Sequence, residues 1–447
     1  MRHAGARDRG GPTARPARPA PRGAGARGHQ QPALPGQRRP GRRCLGGEQR
    51  RLAVPAGTLS AVDRRYSVGI VGGGQLARMM HQAGVGLGID VHLLAEAQGT
   101  SAAQVIANTV VGDYTEFDTL ARFAQDVDVL TFDHEHVPTR HLRQLGDGVE
   151  VRPGPDALAH AQDKALMRER LTSMGIPCPQ FSVCRTPEDL AAFGERMGWP
   201  VIAKTSRGGY DGKGVWKLNG PDQVGEPFAA KPETSAGEEV VIVAEEFIDF
   251  TRELSAIVVR SPSGQAVAYP ISETTQTDGV CVETITPAPG LDGHAAAELQ
   301  AMALRIAGEL GVVGVLAVEL MAEDSGRVVV NELAMRPHNT GHWSIDGALT
   351  SQFENHLRAV LDLPLGAPDL RAPHVVMTNV LGGAEPDLTG ALQHVFARDR
   401  AIRVHLYGKE VRAGRKVGHV TACDNDLEAA LRRARHAARY LMGDPNA

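Results

Sequence analysis

Lys204-Thr205-Ser206-Arg207-Gly208-Gly209-Tyr210-Asp211-Gly212-Lys213-Gly214-Val215 is the segment on which the reading of this chain turns. The apolar run Pro200-Val201-Ile202-Ala203 before it predicts a strand ending at Lys204. A glycine-dense turn follows. Four glycines and two lysines within eleven residues are more than a plain hairpin needs. Glycine lets backbone N–H groups approach phosphate oxygens closely, and lysine adds charge. The spacing is not GxxxxGK[ST], so the loop is not a Walker A motif.

Working outward, Val240 to Glu245 and Glu253 to Arg260 predict two more strands. The first closes on Ala244-Glu245-Glu246-Phe247-Ile248. Such an edge suits adenine through backbone groups, with a carboxylate for the ribose hydroxyls. A helix from His294 to Leu310 precedes two apolar runs, Val312 to Met321 and Val328 to Leu333. Each run carries an acid, Glu319 and Glu332. A carboxylate beside a strongly apolar stretch is costly unless paired or metal-bound. Two of them, with Asn331 adjacent, suit a hard cation such as Mg²⁺, which takes one or two carboxylates plus nucleotide phosphates.

Toward the N-terminus, Val68-Gly69-Ile70-Val71 predicts a buried strand, Gly72-Gly73-Gly74-Gln75 a turn and Leu76 to Gly84 a helix. Ile89 to Leu94, ending near Glu96, and the run Val127 to Phe132 continue the alternation, which predicts an open parallel sheet. Gly72-x-Gly74-x-x-Ala77 with Glu96 about 20 residues later also fits a dinucleotide turn, so a nicotinamide dehydrogenase is the rival class. That rival leaves the glycine–lysine loop and the Glu319/Glu332 pair unexplained. Ala161 to Met174 predicts one helix, closed by Gly175-Ile176-Pro177. Gln352 to Leu361 predicts another. A β-rich module starts near Val375 and includes Arg403 to Tyr407, and Leu427 to Met442 predicts a terminal helix.

Residues 1–65 hold 15 arginines and three acids, about +12, while the whole chain sums to −4. The remainder is therefore near −16, which argues against nucleic acid as the main partner. The segment is rich in Arg, Pro, Gly and Ala without apolar period, and is read as a disordered basic extension. An upstream start misassigned in a GC-rich gene gives the same composition and is the favoured origin; a nucleic-acid-binding arm is the alternative. No apolar run approaches a membrane span. Five cysteines, odd in number and without a CxxC pair, fit reduced thiols in the cytoplasm. His338/His342 and His134/His136 suggest zinc only weakly, because Asn339-Thr340-Gly341 makes a poor helix and no HExxH pattern exists. Trp343 reads as a packing residue.

Three segments together resemble an ATP-grasp family, the N5-carboxyaminoimidazole ribonucleotide synthases, over about residues 66–443. They are Gly69-Ile70-Val71-Gly72-Gly73-Gly74-Gln75-Leu76-Ala77-Arg78-Met79, the stretch Asn331-Glu332-Leu333-Ala334-Met335-Arg336-Pro337-His338-Asn339-Thr340-Gly341-His342-Trp343, and Tyr407 to Val420 with its YGKEVRAGRKVGHV. The resemblance implies α/β and α+β architecture: a parallel-sheet, Rossmann-like pre-ATP-grasp domain (66–160), an ATP-grasp domain (161–365) and a small β-rich C-terminal domain (366–447). It implies ATP- and bicarbonate-dependent carboxylation of 5-aminoimidazole ribonucleotide through carboxyphosphate, in purine biosynthesis. Another ATP-grasp ligase, of the phosphoribosylglycinamide type, is the alternative.

By the same resemblance, ATP meets His160, Lys164, Lys204, the loop Gly209, Tyr210, Asp211, Gly212, Lys213, Gly214 and Val215, the edge Glu245, Glu246, Phe247 and Ile248, then Glu253, Gln276, Asn331 and Glu332. Two Mg²⁺ ions sit on Glu319 and Glu332. Arg336, His338 and Asn339 hold bicarbonate or carboxyphosphate, and Asp211 takes the amine proton. The ribotide meets Gln75, Leu76, Glu135, Tyr210, Lys409, Arg415 and Lys416. His160 stands where relatives often carry arginine, and Gln276 where some carry histidine. A homodimer is implied, with the product handed to the mutase that consumes it.

Overall fold

The computed structural model describes residues 65–209, 213–230 and 240–444. Its first unit alternates strands and helices: β1 Ser67–Val71, α1 Gln75–Leu87, β2 Asp90–Ala95, β3 Asn108–Val111, α2 Phe117–Ala124, β4 Val129–Phe132, α3 Thr139–Leu145 and β5 Glu150–Val151. The strands pair in parallel in the order β3-β2-β1-β4-β5. β1 and β4 are buried almost throughout because helices cover both faces.

The predicted helix over 161–174 is two helices, α4 Pro155–Gln162 and α5 Lys164–Ser173. Asp163 breaks them: its backbone is extended, and its carboxylate accepts from Ala165 N at 2.9 Å and Leu166 N at 3.2 Å. An aspartate that satisfies two orphan amides starts a helix better than it continues one. The break turns Lys164 toward the glycine loop, where its N–H donates to the Ser206 carbonyl at 2.8 Å.

Next come β6 Phe181–Cys184, α6 Pro187–Met197, β7 Val201–Thr205, β8 Val215–Leu218, α7 Glu226–Ala230 and β9 Ile242–Glu246. They form a small antiparallel sheet, β6-β9-β7-β8, packed on α6 through Leu190 and Phe193. The loop between β7 and β8 is the glycine–lysine segment.

The remaining elements are β10 Arg252–Arg260, β11 Ala266–Ala268, β12 Ser272–Thr277, β13 Val280–Thr286, α8 Gly293–Glu309, β14 Gly314–Ala322, β15 Val328–Ala334, α9 Ser344–Gly347, α10 Gln352–Val360, β16 His374–Leu381, α11 Leu388–Arg398, β17 Arg403–Leu406, β18 Lys416–Asp424 and α12 Leu427–Leu441. Among the described residues they build one large sheet, β15-β14-β10-β12-β13-β16-β18-β17, with β11 on β10. The C-terminal strands thus extend the central sheet through the β13–β16 pair. No helix among the described residues is long and apolar enough to cross a membrane.

Helix α10 is wedged between α1 of the first unit and the large sheet. Its His356 is fully buried. Nδ1 accepts from Val315 N at 3.1 Å, and Nε2 bonds Thr131 Oγ1 of β4 at 2.8 Å. Burial pushes its imidazole down to about 3. His342 and His419 are also fully buried, and burial above all holds both well below the usual histidine range.

A depressed histidine contributes stability above its unfolded pKa and loses it as pH falls toward the folded one. For His356 that window runs from 6.5 to about 3. His356 alone should cost about 2 kcal/mol between pH 6.5 and 4.5, at up to about 1.4 kcal/mol per pH unit. Urea unfolding across that range checks it: His356→Gln, which cannot be protonated, should show a shallower acid slope than the parent chain.

Candidate active site

The site begins where one face of the large sheet turns from apolar to polar. On β10, Val259 and Ile257 enter a hydrophobic cluster with Val315 and Ala317 of β14. Two residues further along the same face stand Ser255 and Glu253 on β10, and Glu319 on β14. The opposite face stays apolar, with Leu254, Ala256, Val258, Leu316, Val318 and Leu320 in the main core. One strand pair therefore anchors in the core while presenting carboxylates to a cleft.

Glu319 and Glu332 are direct cross-strand partners on β14 and β15. The register then slips, because Leu320 faces Val330. Asn331 is the extra residue, a bulge that brings it and Glu332 to the cleft together. His338 Nε2 lies 3.2 Å from Glu319 Oε1. Burial would raise the Glu319 carboxyl, but the charge and hydrogen bond of His338, with Arg336 and Lys416 nearby, hold it below the usual range. Glu253 has no such help: burial and the Glu319 charge push it up to about 7.

Beneath this face lies a buried ionic knot. Arg168 of α5 is fully buried and donates from Nε to Glu245 Oε1 at 2.7 Å. Its other nitrogens donate to the carbonyls of Val330 at 2.9 Å and Asn331 at 2.7 Å. Lys204 Nζ sits 2.9 Å from Glu245 Oε2 and 3.0 Å from Asn331 Oδ1. Burial opposes the Glu245 charge, yet Lys204 and Arg168 outweigh it and bring the carboxyl to about 2. The ribose role read for a carboxylate at this edge does not fall to Glu245, whose two oxygens are held by cations. Nor is Glu246 unengaged, since its Oε1 accepts from Gln180 N at 2.9 Å and from Arg327. Glu253 is the cleft carboxylate suited to hydroxyls or a cation.

Two cavities open onto these groups. One, of 520 Å³, is walled by Lys164, Lys204, Gly209, Lys213, Val215, the edge Glu245 to Ile248, Glu253, Gln276, Asn331 and Glu332. Lys217 Nζ lies 4.0 Å over the Phe247 ring at its rim. The other, of 740 Å³, is walled by Gln75, Leu76, Glu135, Arg336, Lys409, Arg415 and Lys416. Glu135 accepts from Arg336 Nε at 3.1 Å and from Met335 N at 2.9 Å. Lys164, Gly209, Glu319, Glu332, His338, Asn339 and Lys416 belong to both walls. The side-chain oxygen and nitrogen of Asn339 are both buried there without a hydrogen-bond partner.

Not every expected residue comes together. His160 lines neither cavity; its Nδ1 lies 3.0 Å from the Asp156 carbonyl one turn back, because it points along its own helix. Gly214 also lines neither; its φ of +71° and the 2.6 Å approach of a Cβ to Thr205 make it a turn residue. Tyr210, Asp211 and Gly212, including the proton acceptor expected at Asp211, lie outside the described residues. Trp343 is fully buried.

The N-terminal turn differs most from its rival reading. Gly73 N donates to Glu96 Oε2 at 3.0 Å. Gly74 N and Ala77 N donate to the two oxygens of Asp133 at 3.1 and 2.7 Å. Burial would raise the Glu96 carboxyl, but the bond from His134 and backbone amides bring it to about 2. The amides that hold a pyrophosphate in a dinucleotide fold are thus occupied by the chain's own acids, and Glu96 faces its own turn, where a ribose would need it. The resemblance marks Asp133-His134-Glu135 as a place where relatives often carry an acidic pair, without a role for Asp133, and nothing in the sequence assigns one to Arg168. Arg168 left a faint signal, a charge at helical spacing among Ala165 and Leu171.

Comparison with known proteins matches three family models: a ribonucleotide synthetase preATP-grasp domain over residues 66–162, an ATP-grasp domain over 169–353, and a phosphoribosylaminoimidazole carboxylase C-terminal domain over 375–433. The chain is 50% identical over 378 residues to the N5-carboxyaminoimidazole ribonucleotide synthase of Mycobacterium tuberculosis, covering 84% of this chain and 87% of that one. It is 46% identical to the enzyme of the same name from Corynebacterium ammoniagenes, over 84% and 92%. Among solved structures, the Aspergillus clavatus N5-carboxyaminoimidazole synthase bound to ADP and 5-aminoimidazole ribonucleotide matches with a TM-score of 0.76 at 30% identity, over 84% and 98%.

The knot generates a stability test. Arg168→Met leaves Glu245 with a single cation and two buried carbonyls unpaired, and should cost about 3–5 kcal/mol in urea unfolding. A loss under about 1 kcal/mol would show that the knot does not hold the cleft together.

Proposed function

The chain belongs to the N5-carboxyaminoimidazole ribonucleotide synthases, ATP-grasp ligases that carboxylate 5-aminoimidazole ribonucleotide in purine biosynthesis, and from that premise we propose how its residues divide the work. ATP occupies the 520 Å³ cavity, adenine along Glu245 to Ile248, phosphates toward Lys164, Lys204 and the glycine loop. The ribotide occupies the 740 Å³ cavity, its phosphate meeting Lys409, Arg415 and Lys416 beside the start of α1 at Gln75 and Leu76. Bicarbonate is held by His338 and Asn339 of the common wall and by Arg336 from the larger cavity.

The observation that carries this division is Asn339, an amide buried with neither atom partnered, in the wall that both cavities share. A buried polar group without a partner is costly and is expected to have one when the site is filled. An amide both donates and accepts, which suits the oxygen and hydroxyl of a one-carbon acid.

A bicarbonate oxygen attacks the γ-phosphorus, the bond to the β–γ bridging oxygen breaks, and ADP departs, leaving carboxyphosphate. Lys164 and Lys204 stand where charge accumulates on the transferred group. Breakdown of carboxyphosphate delivers its carbon to the exocyclic amine; an N–C bond forms, phosphate leaves, and the amine proton passes to a base, for which Asp211 is our candidate. Exclusion of water from the cleft protects the labile intermediate.

Mg²⁺ fits this donor set. Glu319 and Glu332 oppose each other across two strands, and Glu253 beside them is pushed up to about 7 by burial and like charge. Among the described residues no cluster of three His, Cys, Asp or Glu forms a protein-only cage, and Mg²⁺ needs none when phosphates complete its shell. Bound on Glu319 and Glu332, two Mg²⁺ ions would neutralise the triphosphate. We further propose a cytoplasmic homodimer that passes its product to the mutase that consumes it.

ADP release should require bicarbonate as well as ATP, and the carboxylated ribotide should form only when 5-aminoimidazole ribonucleotide is added; turnover with glycine and phosphoribosylamine instead would favour the phosphoribosylglycinamide-type ligase. Glu332→Ala should lower kcat by at least about 100-fold, about 2.7 kcal/mol, with an unchanged circular dichroism spectrum. Normal turnover and Mg²⁺ dependence in that variant would count against the cation site.

A further inference from the structure

Two side chains of the first unit, Ser101 and Gln104, with Arg78 behind Ser101, bond the backbone that carries Lys409, about 300 residues later in the chain. Ser101 Oγ donates to the Tyr407 carbonyl at 2.6 Å. Gln104 Nε2 donates to the Gly408 carbonyl at 2.7 Å and is itself oriented by the Gly99 carbonyl at 3.0 Å. Arg78 Nη1 holds the Ser101 carbonyl at 2.8 Å. From the other side, Tyr407 is buried, with its hydroxyl bonded to His419 Nδ1 at 2.7 Å and its N–H to the Val417 carbonyl at 2.9 Å. The Lys409 ammonium meets Gln75 at the start of α1.

Gly408 shows how close this contact is. Its φ is +65°, and a Cβ there would lie 2.1 Å from Gln104 Oε1 and 3.1 Å from Arg78 Nη1. A lysine ammonium is a point charge on a flexible stem, so its position depends on how firmly its backbone is anchored. The segment after Gly408 lies outside any strand or helix up to Lys416. Its anchor on one flank comes from the first unit.

We propose that Arg78, Ser101 and Gln104 are positioning residues for ribotide binding: they clamp Tyr407-Gly408 so that Lys409 stands at a set height in the larger cavity. The inference rests on the reading that Lys409 meets the ribotide phosphate. The first unit then tunes substrate affinity through a loop of the C-terminal strands, without these three residues touching the ligand.

Steady-state kinetics on the full chain tests it. Gln104→Ala and Ser101→Ala should each raise KM for 5-aminoimidazole ribonucleotide about three- to tenfold, the scale of one neutral hydrogen bond. KM for ATP and kcat should stay within about twofold. Ser101→Thr, which keeps the hydroxyl, should restore the parent value. Gly408→Ala should raise the ribotide KM, and adding Gln104→Ala should partly reverse that by removing the clash. In a Lys409→Ala background Gln104→Ala should add nothing. An unchanged ribotide KM in both alanine variants, with Lys409→Ala impaired, overturns the clamp. So does a shift in both KM values together with a fall in Tm, which marks a merely structural role. If Lys409→Ala itself leaves the ribotide KM unaltered, the phosphate reading fails, and the clamp with it.

Discussion

Everything in the cleft depends on one carboxylate, Glu245, held between two buried cations. Arg168 and Lys204 come from different elements, α5 and β7, and Arg168 also grips the β15 backbone at Val330 and Asn331. Three charges out of water are stable only when each finds its partners in good geometry. The knot therefore ties helix, small sheet and large sheet into one arrangement. That arrangement sets Lys204 beside Asn331 and, through the bulge, Glu332 opposite Glu319.

The same logic explains why the first unit, although built like a dinucleotide fold, is not used as one. Its helix terminus offers amides to an acceptor, and the carboxyls of Glu96 and Asp133 accept from them within the chain, although burial pushes the Asp133 carboxyl up. Gln75 and Leu76 remain at the wall of the larger cavity. A general anion site becomes a narrow one because protein carboxylates occupy most of it.

Between the first unit and the large sheet, a neutral buried bridge works beside the Glu135–Arg336 ion pair. α10 fills the gap between α1 and the large sheet, and His356 joins Thr131 to Val315 as a neutral bridge. Gly314, at φ +104°, leaves room for that imidazole, since a Cβ there would approach it to 2.8 Å. A buried polar bridge of this kind specifies one relative placement, where a purely apolar contact would tolerate sliding.

The sequence by itself determined the strands that run through the core, because Val315 to Val318 or Val68 to Val71 can be stable only when covered on both sides. It also determined the chemical kind of the site, since lysines, glycines and two acids at the ends of apolar runs have few other uses. It did not reveal β12, whose Ser-Glu-Thr-Thr-Gln-Thr has no apolar face because it borders the cleft. Only the tertiary structure decided which groups are available. Glu245 and Glu253 look alike as letters, yet one is neutralised by cations drawn from elements far apart in the chain and the other stands against a like charge. Electrostatic character belongs to neighbours in space, and those neighbours exist only after the chain has folded.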